Sequence, residues 1–344
     1  LSRSFALPLS RRLVLAGSLA GSLVGAGCAA ARAPAPAARV IRHDPALDRL
    51  IAPDARLETL ASGFTWSEGP VWIADGGYLL FSDVPENRIH RWSEKDGVSV
   101  FMEPSGYDGP DASVFREPGS NGLIAAPRGS ILMADHGARA IARVDLATRA
   151  KTLLATRYGD ARFSSPNDLV QASNGAIFFT DPPYGLKEMD RSPLKETAYN
   201  GVYRLDPDGV VTLLDDSLSF PNGIGLSPDQ RTLYVAVSDP ERPLLLAYDL
   251  TRTGPAMKPR VLMDFSDQVG PSNPGLPDGM AVDRAGHLFA TGPGGVHVLT
   301  PEGRSLGRID TGGAAANCTF GEDGRSLFIT AGDRLLRLRT LTLG

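Results

Sequence analysis

From about residue 45 onward, short apolar runs alternate with clusters of Gly, Pro, Asn and Asp. That pattern signals strands separated by turns. Six runs are the richest in apolar and aromatic residues: Tyr78-Leu79-Leu80-Phe81, Ile131-Leu132-Met133-Ala134, Ile177-Phe178-Phe179-Thr180, Leu233-Tyr234-Val235-Ala236, Leu288-Phe289-Ala290 and Leu327-Phe328-Ile329. Others, such as Arg88-Ile89-His90-Arg91-Trp92 and Val202-Tyr203-Arg204-Leu205, alternate as strands with one wet face do. Asp96-Gly97, Asp206-Pro207-Asp208-Gly209 and Pro301-Glu302-Gly303 read as hairpin turns. No convincing helical period interrupts this pattern, so the chain is expected to be all-β.

The strands are organised by an internal repeat. A polar residue followed by a small residue and an apolar strand recurs at Glu68-Gly69-Pro70-Val71, Asn121-Gly122-Leu123, Asn167-Asp168-Leu169, Asn222-Gly223-Ile224, Asp278-Gly279-Met280 and Asn317-Cys318-Thr319. The spacings are 53, 46, 55, 56 and 39 residues, close to the ~40–50 residues of a four-stranded propeller blade. The last unit has room for only three strands, and an unpaired edge invites aggregation. Arg56-Leu57-Glu58-Thr59-Leu60 is expected to supply its fourth strand. The prediction is one six-bladed β-propeller over residues 45–344, closed by this N-terminal strand.

Composition agrees with a globular domain. The 344 residues are 42% hydrophobic and 22% charged, with 38 Gly and 27 Pro. A net charge of −4 argues against nucleic acid as a partner. Two cysteines, Cys28 and Cys318, exclude a disulfide framework and a thiolate zinc cage.

Residues 1–28 read as an export signal. Arg11-Arg12 precede a mild apolar stretch to Ala26 in a twin-arginine-like pattern, and Cys28 follows two small residues as at a lipoprotein processing site. Residues 29–44 read as an Ala/Pro-rich tether. The expected location is periplasmic, with any membrane contact made through a lipid on Cys28.

Residues at matched inner-strand positions of a propeller converge on its axis. Here they are Glu68, Asn121, Asn167, Asn222, Asp278 and Asn317, all oxygen donors. Such a ring suits a hard divalent cation, Ca²⁺ first, with Mg²⁺, Mn²⁺ or Zn²⁺ as alternatives. The cation would also relieve the repulsion between the two carboxylates. Asn317, followed by Cys318 instead of a small residue, is expected to line the channel without ligating. His136, Asp181 and Tyr184 follow second strands and are expected to meet substrate near the channel mouth.

Several phrases resemble the senescence-marker-protein-30/gluconolactonase family: Ser67-Glu68-Gly69-Pro70-Val71-Trp72, Ser165-Pro166-Asn167-Asp168-Leu169, Phe220-Pro221-Asn222-Gly223, Leu276-Pro277-Asp278-Gly279-Met280 and Phe179-Thr180-Asp181-Pro182-Pro183-Tyr184-Gly185. The resemblance implies a six-bladed propeller that hydrolyses sugar lactones with a divalent metal in the channel. It implies Glu68, Asn222 and Asp278 as metal ligands, with Asn167 ligating or touching substrate. Asp278 matches the family's general base. Asn121, His136, Asn167, Asp181 and Tyr184 form the expected substrate-binding set. Animal members carry an arginine shortly before the asparagine matched by Asn167, whereas this chain has Ser165-Pro166.

Two other readings fit the same channel: hydrolysis of phosphotriesters, and ligand binding without turnover around a structural ion. Gly303-Arg304-Ser305-Leu306-Gly307 fits the serine-hydrolase pattern Gly-x-Ser-x-Gly, but it spans a hairpin turn and not the strand-turn-helix elbow that pattern needs.

Overall fold

A computed structural model describes residues 39–251, 254–255 and 258–344. The export signal, Cys28 and tether residues 29–38 lie outside the described residues. The rest folds into six antiparallel sheets in propeller arrangement. Blade one runs Ser67–Ile73, Tyr78–Asp83, Arg88–Ser93 and Gly97–Met102 from inside to outside. Blade two repeats this from Ser120 to Ala155, and blade three from Leu169 to Asp215. Blades four and five begin with Pro221–Leu226 and Met280–Val282. In blade six, Asn317–Gly321, Ser326–Ala331 and Arg334–Arg339 are joined by Leu57–Ser62, which pairs antiparallel with Arg334–Leu338.

Six apolar clusters hold the ring, one at each junction between blades. Leu80 and Ile89 of blade one meet Ile131 and Met133 of blade two, and Leu132 and Ile141 meet Phe179 and Tyr203 of blade three. Phe178 and Val202 meet Val235 and Leu246, and Tyr234 and Leu245 meet Leu288 and Ala290. Phe289 and Val298 meet Leu327 and Ile329. The circle closes where Leu79, Phe81 and Trp92 pack on Phe328 and Leu335. A second strand has a neighbouring blade on each face, so it reads as an unbroken apolar run instead of an alternating one. Leu79, Leu80 and Phe81 are accordingly all fully buried.

The tether boundary at residue 44 needs correcting. Arg39–Arg42 form a strand that pairs with Gly307–Asp310 and makes blade five five-stranded. Asp44 then caps a 3-10 turn, Pro45–Arg49, by accepting from the Ala46 amide, and Leu47 is fully buried in the junction of blades five and six. Val40-Ile41 between two arginines is too short a run to stand out from the Ala/Pro-rich sequence before it. This strand also disposes of the Gly-x-Ser-x-Gly lead: Ser305 opens the outer strand Ser305–Asp310 and bonds His43 Nδ1 at 2.8 Å, away from the channel cavity.

Candidate active site

The channel residues are aimed by irregularities in the inner strands. In blades one, two and four the pairing of inner and second strands shifts between Glu68 and Val71, Ser120 and Leu123, and Pro221 and Ile224. A bulge re-aims a side chain and ends local pairing; the shift begins directly after Glu68 in blade one and spans Asn121 and Asn222 in blades two and four. In blades three and five the inner strands start only at Leu169 and Met280, leaving Asn167 and Asp278 just before them. The glycine after the channel residue serves the neighbouring blade. A Cβ on Gly223 would lie 2.1 Å from the Asp278 carbonyl oxygen, and one on Gly69 2.1 Å from that of Asn121. Second-strand hydroxyls tie the blades together behind these residues: Ser82 Oγ donates to the Asn121 carbonyl (2.8 Å) and Thr180 Oγ1 to that of Asn222 (2.6 Å).

Glu68, Asn121, Asn167, Asn222 and Asp278 form the floor of a cavity of about 610 Å³. Trp66, Tyr184 and Phe220 line the same cavity, together with Arg116, Glu117 and Ser238. The amides are linked. Asn121 Nδ2 donates to Asn167 Oδ1 (2.7 Å), His136 Nε2 lies 3.2 Å from the same oxygen, and Asn167 Nδ2 donates to Asn222 Oδ1. Asn222 Nδ2 donates to Ser238 Oγ (2.8 Å), which donates to the Pro277 carbonyl beside Asp278. Asn167 Oδ1 thus has both lone pairs engaged, Asn222 Oδ1 has one free, and buried Asn121 Oδ1 has no donor.

The acids of the floor are held away from their ordinary ionisation. Burial pushes the Glu68 carboxyl up to about 8, although the Gly69 amide at 2.8 Å steadies its charged form. Asp278 is raised well above the usual carboxylate range by burial first and by the charge of Glu68 second, with Asp168 and Glu117 adding to it. Neither has an ion-pair partner among the described residues, whereas Glu117 is paired with Arg116. Among the described residues no three His, Cys, Asp or Glu side chains are arranged to hold an ion by themselves. Two unpaired carboxylates with amide oxygens between them nevertheless form the donor set of a hard cation, whose charge would relieve the strain that raises both pKa values.

Other predicted residues fall in different places. Tyr184 lines the cavity, stacked on Phe220 with ring centroids 5.9 Å apart. His136 is completely buried behind Asn121 and Asn167, and burial lowers its pKa to about 4, so the ring is neutral. It supports the floor instead of facing the cavity mouth. Asp181 is a correction: its two oxygens accept from the Ser164 and Ser165 amides at 2.8 Å each, and it does not reach the cavity. Asp83 of blade one does the same for the Thr65 and Trp66 amides. An aspartate ending a second strand thus anchors the loop that enters the inner strand. Asn317 turns its oxygen to the Cys318 amide (2.8 Å) and lies at the hollow on the opposite end of the channel. Arg116 and Glu117 belong to the loop 107–117, which the sequence marks as one whose contacts decide the lactone, whereas Ser238 was not expected from sequence. Ser238 sits on a loop outside the repeat, and only its place directly after the second strand Thr232–Val237 could have pointed to it.

The comparisons with known proteins fit this geometry. The SMP-30/gluconolactonase/LRE-like region matches residues 66–333. A gluconolactonase of Zymomonas mobilis is 45% identical over 310 residues, covering 89% of this chain and 87% of that protein. A pentonolactonase of Haloferax volcanii is 29% identical over 76% of this chain and 80% of its own. The structure of a gluconolactonase from Xanthomonas campestris is 36% identical, covers 89% of this chain and 96% of its own, and superposes with a TM-score of 0.75. With the motif-bearing floor and the six-bladed ring in place, the chain belongs to the SMP-30/gluconolactonase/LRE-like family.

Proposed function

We propose that this protein is a lactonase that hydrolyses a neutral sugar lactone to its aldonic acid, with a divalent cation held by Glu68, Asn222 and Asp278. The observation that carries this reading is the pair of unpartnered carboxylates on the floor of an open cavity; the gluconolactonase and pentonolactonase relatives support the substrate class. Asn167 would join the ligands only by releasing Asn121 or His136, because its amide oxygen already accepts from both. When bound, the cation supplies Lewis-acid polarisation of the lactone carbonyl, and Ca²⁺ suits an all-oxygen donor set.

The chain's own residues do the rest. Asp278 accepts a proton from water as its oxygen adds to the carbonyl carbon; the ring C–O bond then breaks and the leaving oxygen takes that proton. Trp66, Tyr184 and Phe220 form the apolar wall against which the sugar ring sits, and the amide chain keeps hydrogen-bonding groups fixed beneath it. Glu68, Glu117 and Asp278 against Arg116 leave the cavity without net positive charge once a divalent cation is bound, so nothing there draws in a phosphate or sulfonate. Purified protein assayed by proton release on δ-gluconolactone, its 6-phosphate and a phosphotriester should turn over the neutral lactone fastest. Faster turnover of the phosphotriester would overturn the reading.

A further inference from the structure

One carbonyl dictates the polarity of the channel floor. The Pro277 oxygen can only accept, so Ser238 Oγ must spend its single hydrogen on it. The Ser238 lone pair therefore faces Asn222 at 2.8 Å and can be met only by the amide nitrogen. Asn222 Oδ1 then points to Asn167, which must present Nδ2 to it. Asn167 Oδ1 is left for Asn121 Nδ2 at 2.7 Å and for an Nε2–H of His136 at 3.2 Å. The chain of amides ends on Asn121 Oδ1, which is buried without a partner, while His136 Nδ1 faces the Glu117 carboxylate at 3.6 Å. The direction set at Pro277 thus runs through Ser238, Asn222 and Asn167 to Asn121.

We propose that Ser238 is a positioning residue: by holding the Pro277 carbonyl it fixes the orientation of the Asn222 amide, so that oxygen and not nitrogen is offered to the cation. The inference deepens the functional reading above and rests on its divalent ion. Without the hydroxyl, only Asn167 distinguishes the two ends of the Asn222 amide, and Asn167 is an amide that can turn with it. Flipped, it would present an N–H to the cation and to Asn167 alike. Partners that orient a ligand in this way are worth about 10–100-fold in metal affinity.

The experiment titrates Ca²⁺ into chelator-treated, full-length protein by calorimetry, so binding is read apart from turnover. Ser238→Ala should weaken Ca²⁺ binding about tenfold or more, with the melting temperature in chelator lowered by no more than a few degrees for the two hydrogen bonds lost, and Ser238→Thr should restore the affinity. In an Asn222→Asp background, where both ends of the side chain are oxygen, adding Ser238→Ala should cost less than about threefold. Undiminished Ca²⁺ affinity in Ser238→Ala, or an equal loss in both backgrounds, would overturn the positioning role while leaving the ion in place. Failure of the wild-type protein to bind any divalent cation would overturn the ion and this inference together.

Discussion

At the scale of single residues the site separates two acids that stand at matched positions of the repeat. Glu68 is buried, steadied by the Gly69 amide and the Asn317 side chain, and raised to about 8, whereas Asp278 on the same cavity floor is raised by burial and by the charge of Glu68. Glu68→Gln should abolish cation binding and lactone turnover, yet raise the melting temperature of the chelated protein at pH 8, because it removes one of two charges that repel each other. Asp278→Asn keeps an oxygen on the floor and should retain cation binding while kcat falls about 10²–10⁴-fold, the usual weight of a general base. Calorimetry and initial rates on the same samples check both; full activity in Asp278→Asn would remove it from the base role. The polar residue of each repeat was legible because all six are oxygen donors in register. Asp181 was not, since an aspartate that closes a loop by accepting two backbone N–H groups looks in sequence like one that meets a substrate.

At the scale of elements the inner strands carry the function and the second strands carry the stability. The former are bulged or cut short at the channel residue; the latter are buried on both faces. Gly223 is where the two demands meet, because its missing side chain lets the Asp278 backbone pass. Gly223→Ala should push that backbone away, costing about 1–3 kcal/mol of stability by overpacking and weakening cation binding at the same time. Denaturant unfolding and calorimetry together test this; a variant with native stability and affinity would show that the contact is slack. The blade repeat could be read from chain spacing, because strand, turn and glycine recur at a regular interval. The Arg39–Arg42 strand could not, as its four residues add an edge to a blade that was already complete. Ser238 escaped for a related reason: the connection that brings it to the cavity obeys no period.

At the scale of the whole molecule six blades bring buried carboxylates to one axis, and that arrangement costs stability unless a cation sits among them. Folded-state pKa values near 8 for Glu68 and near 7 for Asp168 lie above the unfolded carboxylate range. A group raised in this way contributes stability that is full below its unfolded pKa and is lost as pH rises through the folded value. The metal-free protein should therefore melt at a lower temperature at pH 8.5 than at pH 6, and saturating Ca²⁺ should raise the melting temperature more at pH 8.5 than at pH 6. Thermal unfolding in chelator and in Ca²⁺ at the two pH values reads this; equal Ca²⁺ stabilisation at both would contradict it. The most direct measurement is the rate of δ-gluconolactone hydrolysis by chelator-treated protein as Ca²⁺ is returned. The account predicts a rate near the uncatalysed one in chelator, a saturable return with Ca²⁺, and no return in Glu68→Gln. A full enzymatic rate in chelator, or restoration in Glu68→Gln at the same Ca²⁺ concentration, would contradict it.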